Sequence, residues 1–177
     1  MHGNLYRIFF TGVFLIMSVT VSHAFELKSQ YVTIIYENED LLRKFNREVS
    51  LGSLSYLARN KKSLTVADEV RNKVDTIVER VESILDMFPL NLKFKIVLLF
   101  NDTDVNKVFM NKYGRNPDYI SFYAPSDKTV YISVADIRLG VLAHELAHVI
   151  IDHYFVNPPP EKIHEVLAQF VETHLSD

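Results

Sequence analysis

The 177-residue sequence contains no cysteine. That excludes a disulfide framework and any zinc site built on thiolates, so a metal here must be held by histidine and carboxylate. It also excludes a lipid anchor on an N-terminal cysteine. Basic residues are not in excess: 19 Lys and Arg face 22 Asp and Glu, a net charge of −3. No basic stripe runs along the chain, which argues against nucleic acid as a partner. Internal repeats and low-complexity tracts are lacking too, and the only proline run is Pro158–Pro160. The N-terminal apolar stretch, Ile8 to Val21, is fourteen residues long and falls short of a comfortable bilayer span.

That stretch has another reading. Arg7 supplies a positive flank before it, and Ser22-His23-Ala24 supplies small residues at the two cleavage-defining positions after it. The combination predicts a signal peptide over residues 1–24, cut after Ala24; the alternative is a retained N-terminal anchor, since the apolar stretch is fairly long for a leader. The remaining residues, 25–177, are long enough for one domain with a real core. The expected product is exported, periplasmic or secreted, with no stable membrane insertion once the leader is removed.

Residues Tyr31 to Tyr36 are β-branched and aromatic, with Val32, Ile34 and Tyr36 on one face, and predict a strand. Glu39 to Val49 reads as helical. Thr65 to Phe88 predicts a long helix: Thr65 and Asp68 form a capping box, and Val66, Val70, Val74, Ile77, Val81, Ile84 and Phe88 recur at three and four. Pro89 is its expected stop. Leu92 to Phe100 predicts a strand, nearly all apolar from Ile96 to Phe100, as in a central strand. Asn101 or Asp102 then caps a short helix that Gly114 ends. Tyr119 to Ala124 and Thr129 to Ser133 predict a hairpin around Pro125-Ser126-Asp127-Lys128. Ser133 and Asp136 resemble a second capping box, which would start the next helix directly after the strand.

The next helix carries the chemistry. Val141 to Ile151 is an apolar run too long for a typical strand, and inside it stands His144-Glu145-Leu146-Ala147-His148. Helix positions i and i+4 share a face one turn apart, so two imidazoles can meet one divalent metal. Glu145 is placed to serve as general base for a water on that metal. A single histidine on an apolar helix is usually a core residue bonded to a carbonyl. Two of them with an adjacent glutamate are costly to bury without a shared purpose. Gly140, one turn before His144, either admits backbone to the metal face or is simply a tolerated helix glycine.

A catalytic zinc needs three protein ligands and one open position. A third histidine at the H-x-x-G-x-x-H spacing is ruled out, because Ile151 and Tyr154 occupy the glycine and histidine positions. The alternative lies beyond the proline run. If the metal helix ends near Tyr154 and a new helix starts at Pro159 or Pro160, both arms of the hairpin are six residues long. At about 1.5 Å per residue each arm spans roughly 9 Å, which sets Glu165 level with His148. Glu161 is too near the turn, His164 points about a hundred degrees away from Glu165, and Glu172 lies two turns further along. Glu165 is the favoured third ligand and His164 its competitor.

His144-Glu145-Leu146-Ala147-His148 together with Glu165-Val166-Leu167-Ala168-Gln169-Phe170-Val171-Glu172 resembles the gluzincin zinc metallopeptidases, in particular their peptidase MA-like or aminopeptidase-like branch. The third ligand of that branch typically sits in E-G-x-A-x-[FY]-x-E. The match covers about the last forty residues. It implies an α+β, zincin-like fold: a small, twisted, mixed sheet packed on helices, an edge strand leading into the active-site helix, and an antiparallel C-terminal helix. It also implies one Zn2+ per chain and hydrolysis of peptide or protein substrates. In some gluzincins an acid four residues past the third ligand supports a ligating histidine; that position is Gln169, whose amide oxygen can accept a ring N–H without a charge. Val166 stands where the family has glycine, and Ile163 where it often has an aromatic. No exopeptidase signature for a substrate N-terminus is present.

A peptide substrate is expected to add as a strand along Thr129, Val130, Tyr131, Ile132 and Ser133. Tyr123 and Tyr154, with His153 and His174 behind them, are the candidates for a transition-state donor. Two other readings exist. One is an exported zincin-like domain that binds without turnover, against which the intact Glu145 argues. The other is a cytoplasmic zincin that cleaves repressors, against which the leader argues.

Overall fold

The computed structural model describes residues 24–176. The expected leader, residues 1–24, lies outside them except for its last residue. The described chain is α+β, with a five-stranded mixed sheet and five α-helices. The sheet is built from β1 (Phe25–Lys28), β2 (Val32–Tyr36), β3 (Phe94–Leu99), β4 (Ser121–Ala124) and β5 (Thr129–Ser133). Their order across the sheet is β1-β2-β3-β5-β4, with β2-β3 and β3-β5 parallel and the two outer pairs antiparallel.

Alternation explains which face each strand buries. Val32, Ile34 and Tyr36 on β2 point to the same core as Phe94, Ile96 and Leu98 on β3. Four helices cover that face: α1 (Glu39–Glu48), α2 (Val66–Leu85), α4 (Leu139–Tyr154) and α5 (Glu161–His174). The opposite face carries α3 (Asp102–Tyr113), whose Val105 and Phe109 pack on Phe122 and Ala124 of β4.

Local caps set the helix starts. Asn38 Oδ1 accepts from the Leu41 N–H at 2.9 Å, and Asn101 Oδ1 accepts from the Asp104 N–H at 3.0 Å. The reciprocal Thr65–Asp68 capping box opens α2. That helix stops at Leu85, earlier than the sequence suggests. Asp86 takes a left-handed conformation at φ 52°, the chain turns, and Phe88 is 57 % exposed rather than in the apolar stripe.

Two further expectations about this region are corrected. Ser133 and Asp136 do not cap α4. Ser133 Oγ donates to Asp136 Oδ2 at 2.5 Å inside a turn, and α4 starts later, at Leu139, behind Arg138 with no side-chain cap. The strand Thr129, Val130, Tyr131, Ile132, Ser133 is not an edge. It pairs parallel with β3 on one side and antiparallel with β4 on the other, so its backbone is engaged on both sides. Every residue of it except Tyr131 is buried. On that side of the sheet the outer strand is β4.

The last helix returns antiparallel along α4. Its buried residues Ala168 and Val171 lie in its second half, with Leu175 just beyond. Arg80 of α2 fastens that end, Nε donating to the Leu175 carbonyl at 3.2 Å and Nη2 to the His174 carbonyl at 3.1 Å. No helix among the described residues is long and apolar enough to cross a membrane.

Candidate metal centre

The helical hairpin brings His144, His148 and Glu165 together. His144 Nε2 and His148 Nε2 are 3.2 Å apart, Glu165 Oε2 is 3.5 Å from the first, and Glu165 Oε1 is 3.4 Å from the second. Tetrahedral zinc with bonds of about 2.0–2.1 Å spaces its ligand atoms about 3.3 Å apart. The two imidazole nitrogens lie at that spacing and the Glu165 carboxylate turns one oxygen to each ring, so among the described residues these three side chains are the group that could hold a metal ion. Burial, together with the neighbouring His144 and His164, pushes the His148 pKa down to about 4. Its ring is thus neutral at physiological pH, the form that binds metal.

Glu145 turns away from these rings toward β4. Ser121 Oγ donates to Glu145 Oε1 at 2.7 Å, and the Tyr123 backbone N–H also faces the carboxylate. The carboxylate is nevertheless buried, and burial, helped by the Glu165 charge, raises its pKa to about 7. The two hydrogen bonds oppose that rise without cancelling it.

An outer acid holds His144, but it is not at the expected position. Gln169 is exposed, and Glu172 Oε2 stands 3.5 Å from His144 Nδ1. The offset of seven residues from Glu165 keeps Glu172 on the same helix face, two turns on. Gly140 makes the room: a Cβ there would sit 3.3 Å from Glu172 Cγ and 3.4 Å from its Oε1. On the metal reading, Glu172→Gln is accordingly expected to weaken metal affinity about 10- to 100-fold, the usual cost of losing an outer-shell partner. Gly140→Ala asks the flexible Glu172 side chain to give only slightly and should cost less; competition titration with a chromogenic chelator measures both.

A cleft of about 900 Å³ opens over this group. Tyr123 lines it, but its hydroxyl donates to Asp152 Oδ2 at 2.8 Å, and its pKa is raised by burial and by that acid. Tyr154 is exposed at the end of α4 and does not line the cleft, so it is withdrawn as a donor. His153 lies against the carbonyls of Val149 and Lys93, and His174 stacks on Phe170; neither lines the cleft. His164 does line it, stacked on His148 with ring centroids 5.8 Å apart.

Three of these contacts escaped the sequence reading. Asp152 lies at i+4 from His148, and Glu172 at i+7 from Glu165, so helical spacing marks both. Ser121 carries no local signal, being 24 residues from Glu145. Comparison of the chain with protein-family models, with curated proteins and with solved structures finds no match.

Proposed function

We propose that this chain is an exported, zinc-dependent peptidase of the gluzincin type with a zincin-like fold. The observation that carries the reading is the cluster of His144, His148 and Glu165: the two Nε2 atoms are 3.2 Å apart, and the carboxylate sets one oxygen 3.5 Å from the first and the other 3.4 Å from the second, a spacing that suits one ion. The leader-like N-terminus supports export. A zinc ion held there supplies Lewis-acid polarisation of the scissile carbonyl and acidifies a water.

The chain's own residues do the rest. Glu145, its carboxylate anchored by Ser121 and by the Tyr123 N–H, takes a proton from the water that attacks the carbonyl carbon. As the C–N bond breaks, the same carboxyl returns that proton to the departing amine. A pKa of about 7 suits a group that must both accept and release a proton near neutrality. A domain that only binds has no use for a carboxylate buried at this cost.

Backbone geometry indicates where a peptide lies. The Ser133 N–H donates to the Ile120 carbonyl at 2.8 Å, so in the antiparallel ladder Phe122 turns its N–H and C=O to β5. Those of Ser121 and Tyr123 then face outward, along the cleft; the Tyr123 N–H is engaged by Glu145, and an extended peptide can pair with the Ser121 groups and the Tyr123 carbonyl. The test is direct. Purified protein should bind one zinc per chain, and a chelator should abolish hydrolysis of an unstructured peptide until zinc is restored. A metal-free protein that still hydrolyses peptide at the full rate refutes the proposal.

A further inference from the structure

The cleft has a second wall that the proposed chemistry does not use. Phe109 and Tyr113 lie one turn apart on α3, Tyr119 follows in the next loop, and Phe122 sits on β4. Phe109 is the hub: its ring centroid is 4.6 Å from Tyr113, 5.1 Å from Tyr119 and 5.0 Å from Phe122. Phe109 and Phe122 are buried, whereas Tyr113 and Tyr119 remain 39 % and 45 % exposed. All four line the same cleft as His144, Glu145 and His148. Arg115, also on the lining, places its guanidinium carbon 5.9 Å from the Phe109 centroid.

These two walls belong to opposite faces of the sheet. On β4, Ser121 and Tyr123 reach toward α4, to Glu145 and Asp152. Phe122 and Ala124 reach toward α3. The cleft therefore wraps across the outer edge of β4, with the histidines on one side and the aromatic rings on the other.

We propose that this aromatic wall is a subsite for a large aromatic side chain of an extended polypeptide laid along β4. A strand added beside β4 inherits its pleat, so its successive side chains point alternately to the two faces. When one residue faces His144 and His148, its strand neighbours fall on the rings of Tyr113, Tyr119 and Phe109. A planar ring fits there edge-on or offset against rings already arranged that way. The half-exposed tyrosines are the surface such a ring would cover. The peptidase proposal supplies the location of the bond cut; the aromatic subsite needs only the edge strand and the wall.

The absence of tryptophan makes the test clean. Full-length protein carrying Glu145→Gln is loaded with zinc and titrated with two blocked, unstructured peptides, one with a central Trp and one with Ala in its place. Trp emission reports the ligand alone, and competition by the Ala peptide gives the second affinity. The Trp peptide is expected to bind at least about ten-fold more tightly, with a blue shift, and Tyr113→Ala/Tyr119→Ala should remove most of that ratio. If the double variant does not fold, Tyr119→Ala alone with the same readout takes its place. Equal affinities, no binding of the Trp peptide, or a ratio unchanged in the variant overturns the subsite. Selective Trp binding by a protein whose unsubstituted form hydrolyses nothing supports the subsite and sinks the peptidase reading. Hydrolysis indifferent to aromatic residues does the reverse.

Discussion

Glu145→Gln is expected to cost activity and add stability at once. Peptide turnover should fall by on the order of 10³-fold, within the range by which a positioned proton carrier accelerates such reactions. The same substitution should stabilise the metal-free protein at pH 8 by about 3 kcal/mol. In the unfolded chain the carboxyl ionises at its ordinary value of 4.5, whereas in the folded protein it holds its proton up to about 7. Between those values the folded state binds a proton that the unfolded state has released, so stability is lost as pH rises from 4.5 through 7 and stays lost above. At about 1.4 kcal/mol per pH unit that interval amounts to about 3 kcal/mol. Glutamine has the same shape, can still accept from Ser121 and Tyr123, and never ionises. His148, with its pKa lowered to about 4, acts in the opposite sense: its contribution is lost as pH falls from 6.5 toward 4. It is common to both proteins and cancels in the difference. Denaturant unfolding in a chelator at pH 4.5 and pH 8 measures the effect. Equal midpoints at pH 8 would show that burial does not penalise the charged carboxylate.

Glu165→Ala should do almost nothing to the metal-free protein and much to the metal-loaded one. Its side chain is 47 % exposed, and an exposed position away from caps and core usually tolerates substitution within about 0.5 kcal/mol. A ligand that binds only the folded state stabilises it by about 4 kcal/mol at a thousand-fold excess over Kd. Wild-type protein should therefore melt markedly higher when zinc is added, and Glu165→Ala should lose most of that gain. Thermal scans with and without zinc separate this from a general defect, which would lower both curves. His148→Ala is a poorer probe, because that ring is largely buried and its removal disturbs packing as well. An undiminished zinc response in Glu165→Ala would remove the carboxylate from the ligand set.

Much of this arrangement was legible because it is local or periodic. Alternation in Val32-Thr33-Ile34-Ile35-Tyr36 and the capping box at Thr65 act within a few residues. The spacing of His144, Glu145 and His148 is a property of one helix turn, and equal arm lengths alone set Glu165 opposite His148. What was not legible depends on how distant segments meet. Either strand of the Tyr119–Ser133 hairpin can pair with β3, and the sequence of Thr129-Val130-Tyr131-Ile132-Ser133 alternates enough to suit an edge. Its burial on both sides becomes apparent only once β4 is placed outside it. The resemblance points one turn past Glu165 for the outer acid, to Gln169, whereas the acid beside His144 lies two turns past. Helix side chains lean toward the N-terminus, so the long Glu172 side chain reaches back to His144, passing close over Gly140, where no Cβ crowds it. Ser121 meets Glu145 through tertiary packing alone.

The fastening of α5 is uneven. Its far end is riveted by Arg80 and by the apolar residues Ala168, Val171 and Leu175, while its near end follows the exposed connector of residues 155–160. Glu165 lies in that near half, so the zinc proposed here, shared with α4, would act as a keystone for the whole C-terminal segment. On that proposal, loss of the ion would leave α5 moored at one end only, and the event that ends the proposed hydrolysis would also loosen the tail for degradation.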